Sequence, residues 1–191
     1  MVAALFVRKD SVYHAMPGVD AWDVQRNARY FPGGMPVVAH PPCSQWGTLS
    51  HMARHDQSEK ELGIIAVNAV RLNGGVLEHP KRSKLWKYMG LPAPGEDADG
   101  WGGWTLLVNQ WWWGHLAEKA TLLYIVGVTP DGIPPLPEVP PGKPRFICGQ
   151  SGRRRDQTRT KERPEIQKRD REHTPPAFAA WLVELARRCG R

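Results

Sequence analysis

Two apolar runs, each stopped by proline and each with a reactive side chain at the stop, constrain this chain more than any other feature. In the first, Pro36-Val37-Val38-Ala39 meets His40-Pro41-Pro42-Cys43; in the second, Gly75-Val76-Leu77-Glu78 meets His79-Pro80. Short continuous apolar runs suit strands buried on both faces. Adjacent prolines can continue neither a sheet ladder nor a helix interior, so the first strand ends there and Cys43 falls on a loop at its C-terminal end. Between the runs, Leu62, Ile65, Ala66, Ala69 and Val70 recur at helical spacing from Ser58 to Leu72. Ser58 is the expected N-cap, and Asn73-Gly74-Gly75 the stop. Strand, loop, helix and strand in this order make a parallel βαβ unit.

The rest of the chain extends this pattern. Val2 to Val7 reads as a buried strand that runs straight into the charged turn Arg8-Lys9-Asp10. Ser83 to Met89 reads as a short helix, and Gly90 to Gly103 as a Gly/Pro/Asp-rich excursion. Strands are expected over Thr105 to Val108 and Thr121 to Val126, on either side of the tract Asn109-Gln110-Trp111-Trp112-Trp113-Gly114-His115. The tryptophans could stack on bases, but packing at the core and rim of an edge strand is favoured, because alternation buries at least one ring. Ile133 to Pro144 is proline-dense and reads as a semi-rigid linker. A final helix starts after Thr174-Pro175, buries Phe178, Trp181, Leu182 and Leu185, and ends near Arg188. The expectation is an α/β, Rossmann-like domain with a mainly parallel sheet and a site outside the strand C-termini. Residues 1–148 would form the catalytic unit, with a basic segment and the last helix, 149–191, packing on the same domain.

No apolar stretch approaches bilayer-spanning length, and the N-terminus lacks the charged-then-apolar order of a signal peptide, so a soluble cytoplasmic protein with no membrane partner is expected. Three scattered cysteines, Cys43, Cys148 and Cys189, make a poor disulfide framework. A net charge of +7 favours an anionic partner, nucleic acid first. From Gly149 to His173, nine Lys or Arg residues face five acids. Arg153, Arg154 and Arg155 there are candidates for phosphate contact, against an even reading as a solvated loop. His40, His79 and His115 could suggest zinc, but no second cysteine stands at ligand spacing, so no metal is expected.

Three stretches together resemble the DNA cytosine-5 methyltransferases, in particular their short phage-borne relatives. His40-Pro41-Pro42-Cys43-Ser44-Gln45-Trp46-Gly47 is similar to the family's Pro-Pro-Cys nucleophile loop. Val76-Leu77-Glu78-His79-Pro80 resembles its Glu-Asn-Val strand end, and Gly114 to Gly127 resembles the Gln-x-Arg-x-Arg strand that closes the site. The resemblance implies a methyltransferase-like transferase acting on DNA, in the host cytoplasm if phage-encoded. It implies Cys43 as nucleophile and Glu78 at the base's N3 edge, with Lys119 and Thr121 in place of the Arg-x-Arg pair. His40, Ser44, His79 and His115 are expected to hydrogen-bond around the base or the DNA backbone.

The chemistry explains the residue types. A thiolate added to C6 of a pyrimidine pushes electron density onto C5, which can then attack an electrophile. A free thiol, with a pKa of about 8.5, is little ionised at neutral pH, so open loop amides ahead of a helix are expected to stabilise the thiolate. A protonated Glu78 would relieve the charge that attack puts on the ring. Because C6 is inaccessible in a duplex, the base must be flipped out or single-stranded.

The family's cofactor is S-adenosylmethionine, and here the sequence departs from the pattern. No glycine follows the first strand until Gly18, and the chain to Cys43 is too short for the usual second and third strand-helix units. The expected fold is therefore truncated at its cofactor-binding half, with Asp20 or Asp23 as candidates for the ribose acid. Three readings stand: a minimal methyltransferase, an S-adenosylmethionine-independent pyrimidine hypermodification enzyme on the same fold, and a DNA-binding relic with Cys43 inert.

Overall fold

A computed structural model of the chain describes residues 1–47, 50, 58–148 and 163–190. Strands β1 (Val2–Leu5), β2 (Val19–Trp22), β3 (Val37–Ala39), β4 (Gly75–Pro80), β5 (Trp104–Asn109) and β7 (Ala120–Val126) form one sheet in the order β2-β1-β3-β4-β7-β5. Strands β2, β1, β3 and β4 run parallel, and β7 lies antiparallel between β4 and β5. Short strands β6 (Ala117–Glu118) and β8 (Phe146–Ile147) pair separately. The helices are α1 (Ser58–Asn73), α2 (Leu85–Met89), α3 (Lys168–Arg171) and α4 (Pro176–Arg188). This is an α/β architecture with a mostly parallel, mixed sheet, compatible with a Rossmann-like fold.

The sheet is buried on both faces, and alternation along each strand sorts the side chains. Ala3, Leu5, Val37, Ala39, Leu77 and Tyr124 face α1, while Val2, Ala4, Val38, Val76, Leu123 and Ile125 face α4. The β1–β2 connection holds only the 3₁₀ turn Val12–Ala15, too little to cover its side of the sheet. Helix α4 supplies the cover, packing Phe178, Leu182 and Leu185 against β1, β3, β4 and that turn. Trp181 Nε1 donates to the Pro135 carbonyl at 3.0 Å and Arg188 to the Gly132 carbonyl at 3.2 Å. The proline-dense segment is thus a strap on α4 rather than a spacer between bodies.

Three differences from the sequence reading have physical causes. Strand β2 carries no apolar run because it is an edge strand with only Trp22 buried. Strand β7 reads like its parallel neighbours because, lying inside the sheet, it is apolar on both faces. The tryptophan tract forms a 3₁₀ turn after β5, not part of the edge strand: Trp113 packs 4.8 Å from Phe178 and 5.2 Å from Trp181, with Trp112 against it at 5.9 Å. Among the described residues, no helix is long and apolar enough to cross a membrane.

The turn from α1 into β4 decides how close β3 and β4 lie where they begin. Gly74 and Gly75 have φ of +75° and +118°, and a Cβ at Gly75 would collide with the Val37 carbonyl and stand 2.6 Å from its nitrogen. Backbone on both sides leaves nothing to give way. Gly75→Ala is expected to cost about 2–3 kcal/mol in urea unfolding. Gly100→Ala, in open space, should leave the midpoint unchanged.

Candidate functional site

The C-terminal ends of β1, β3 and β4 converge on one side of the sheet. His40 leaves β3 with its N–H on the Leu5 carbonyl at 3.0 Å, and the two prolines then carry the chain to an exposed Cys43. The 3₁₀ turn Ser44–Trp46 is held by three contacts. Ser44 Oγ donates to Glu59 of α1 at 2.6 Å, the Lys84 N–H donates to the Trp46 carbonyl at 2.8 Å, and the Trp46 ring is buried against α1. Gly63 makes room for that ring, since a Cβ there would stand 2.5 Å from Trp46 Nε1.

Glu78 lies near the end of β4, only 7% exposed, and both its oxygens are occupied. His40 Nδ1 donates to Oε2 at 3.0 Å, and Gln110 Nε2 donates to Oε1 at 2.9 Å. With its proton on Nδ1, His40 accepts at Nε2 from the Tyr13 hydroxyl at 2.8 Å. Gln110 Nε2 also reaches Thr121 Oγ1 at 3.1 Å, whose hydroxyl donates to the Lys119 carbonyl at 3.2 Å. A chain Tyr13–His40–Glu78–Gln110–Thr121 therefore links β1's following turn to β3, β4 and β7.

The electrostatics correct two expectations. Burial pushes the Glu78 carboxyl up, but the His40 hydrogen bond and then the positive charge of Lys119 outweigh it and hold the pKa at about 2. Glu78 is thus a carboxylate at rest, not a protonated acid. Desolvation, and then the Glu78 charge, raise the Cys43 thiol above its ordinary value, with Lys119 pulling the other way. A three-residue 3₁₀ turn lacks the aligned amides of a helix, so the loop forms no resting thiolate.

The other predicted residues divide sharply. His40 and Thr121 belong to the Glu78 chain, Thr121 fully buried and joined through Gln110; Lys119 stands near enough for its charge to act on Glu78 and Cys43, and Ser44 instead holds the Cys43 turn on Glu59. His79, 1% exposed, has no hydrogen-bond partner for either ring nitrogen among the described residues; it lies beneath the proline loop near the Pro42 backbone, away from solvent. His115 is also buried, accepting from the Ala117 N–H at 3.0 Å beside the backbone of Asp170 and Arg171. Asp20 is spent on Arg26 and on Trp22 Nε1. Asp23 follows the last residue of β2 and caps the turn through the N–H groups of Gln25 and Arg26, at 2.8 and 3.2 Å. Arg153, Arg154 and Arg155 lie outside the described residues. No group of three or more His, Cys, Asp or Glu side chains that could hold a metal ion occurs among the described residues.

Sequence reasoning missed Tyr13 and Gln110. Gln110 was masked by the tryptophans beside it, and Tyr13 stands in a segment notable only for lacking glycine. No protein-family model matches the chain, and no curated protein does.

Burial lowers the His79 pKa from 6.5 to about 4. The unfolded chain therefore binds the extra proton first, and the stability contributed by neutral His79 is present above pH 6.5 and is lost as pH falls toward 4. The expected loss over this window is on the order of 3 kcal/mol. His79→Gln should flatten the urea midpoint between these pH values; an unchanged slope would assign the acid sensitivity to other groups.

Proposed function

We propose that this chain is a DNA pyrimidine-modifying enzyme of the cytosine-5 methyltransferase type, in which Cys43 adds to C6 of a base removed from its stack. One observation carries the reading. An exposed thiol and a buried carboxylate stand at the C-terminal ends of adjacent parallel strands, close enough that the charge of Glu78 acts on Cys43. Ligands of open α/β sheets bind at such strand ends. The strand order lends further support: without β7, β2-β1-β3-β4-β5 is the doubly wound order lacking its outermost strand.

In this reading exposed Cys43 gives its proton to solvent as it attacks, helped by the nearby charge of Lys119. The Sγ–C6 bond forms, and electron density shifts through the ring to N3 and C5. A proton taken up from solvent would reach N3 through Glu78, which the His40 Nδ1–H holds in place, while the buried Tyr13 hydroxyl keeps its proton and fixes the His40 tautomer. Gln110 fixes the second Glu78 oxygen and so sets the carboxylate plane. C5 is then nucleophilic; it takes up an electrophile, loses its own proton, and Cys43 departs. Both His40 nitrogens are engaged, so His40 is not a base for Cys43, and a thiol-hydrolase reading gains no support.

S-adenosylmethionine would supply a methyl group as the electrophile. The residues present do not fit it well. Where a side-chain-free turn is needed after β1, Phe6 sits at φ +60°. The Tyr13 ring, 1% exposed, reaches across the crevice between β1 and β3 to His40. Asp23, after the end of β2, would be the residue to hold a ribose, and its Oδ1 already caps the turn. Addition of Cys43 to C6 activates the ring whichever electrophile follows.

Hydrogen exchange at C5 of cytosine in a DNA oligonucleotide, followed in D₂O by mass spectrometry, tests it. Wild type should exchange without added cofactor. Cys43→Ser should abolish exchange, and Glu78→Gln should slow it about a hundred-fold. With 5-fluorocytosine DNA, an adduct on Cys43 that accumulates only with S-adenosylmethionine would mark a methyltransferase. Neither exchange nor adduct would leave a DNA-binding relic.

A further inference from the structure

Beside the Cys43 turn the surface opens into a groove of about 720 Å³. Its wall includes Gln45 and Trp46, two and three residues beyond Cys43. Three lysines, Lys60, Lys84 and Lys87, line it, and no carboxylate does among the described residues. Lys84 Nζ donates to Ser50 Oγ at 3.0 Å, while Lys60 Nζ stands 5.0 Å from the Tyr88 ring centre and 5.4 Å from that of Trp46. Exposed Lys81 and Arg82 precede α2 at the same end. The nearest acids of α1 are turned to other partners: Glu59 accepts from Ser44, and Glu61 pairs with Arg29 at 3.5 Å. Tyr88 is 59% exposed, packed edge-on against Trp46 at 5.2 Å.

We infer that this groove carries the phosphodiester backbone of the DNA strand whose base enters the Cys43 site, with Tyr88 as the stacking surface for a neighbouring base. The inference rests on the proposed function and names the surface that delivers the substrate. Lysines suit the task because a compact ammonium neutralises phosphate without reading sequence. An exposed ring among cations is the makeup of single-strand sites, where every base offers a face to stack on. Flipping a base out of a duplex leaves just such an unstacked face on its neighbour. An acidic peptide would match the charges but would make no use of Tyr88.

Fluorescence anisotropy of the full chain with a labelled single-stranded oligodeoxynucleotide, titrated over a range of salt, tests the inference. The triple variant Lys60→Gln, Lys84→Gln, Lys87→Gln should reduce the slope of log K against log salt by about 2. Tyr88→Ala should weaken binding about ten-fold with the slope unchanged, and Tyr88→Phe should restore it. All these positions are exposed, so folding is not at stake. A wild type that exchanges C5 hydrogen while its DNA binding ignores these substitutions overturns the groove alone. A wild type that neither binds the oligonucleotide nor exchanges hydrogen overturns the proposed function and the groove together. Polyglutamate that competes equally well, with Tyr88→Ala without effect, would make the groove a site for acidic protein instead.

Discussion

A carboxylate taken out of water must find donors, and the arrangement around Glu78 follows from that requirement. Both oxygens are filled, one by His40 and one by Gln110. His40 can donate from Nδ1 only if Nε2 accepts, which fixes Tyr13 as the donor behind it. Gln110 is held in turn by Thr121 and so by the backbone of Lys119. Four separate segments are tied to one another through a single charged group. Neither a neutral side chain nor an exposed acid at position 78 would demand this network.

The same region explains how a short chain covers a two-faced sheet. Between β1 and β2 the backbone turns through a few residues of 3₁₀ structure instead of a full helix. This leaves a gap over β1 and β3 that the C-terminal helix α4 closes, with the Trp113–Phe178–Trp181 cluster as its anchor. Tyr13 projects from the shortened connection toward the strand ends. Because that connection holds a 3₁₀ turn and no longer helix, Tyr13 lies close enough to the strand ends to meet His40.

Much of this was legible from residue order. The βαβ unit over 37–80 stood out because prolines and glycines mark its ends and because helical and strand periodicities differ. Cys43 and Glu78 could be assigned to strand C-termini on the same ground. The burial of His79 and His115 was not legible, because an imidazole beside a reactive residue looks the same in sequence whether it faces solvent or lies beneath the loop. Asp20 failed for a related reason: its partner Arg26 lies across a turn whose shape no local pattern announces.

By itself, the sequence determined where strands stop, which side chains stand at those stops, and that both faces of the sheet would be apolar. These properties depend on proline, glycine and hydrophobic spacing, all of which act over a few residues. Tertiary structure alone decided the ionisation of Glu78, the protonated state of Cys43, the place of β7 between β4 and β5, and the meeting of Tyr13 with His40. Each of those depends on charges and donors brought together from distant parts of the chain, and the free energy of a buried charge is set by what surrounds it rather than by its neighbours in sequence.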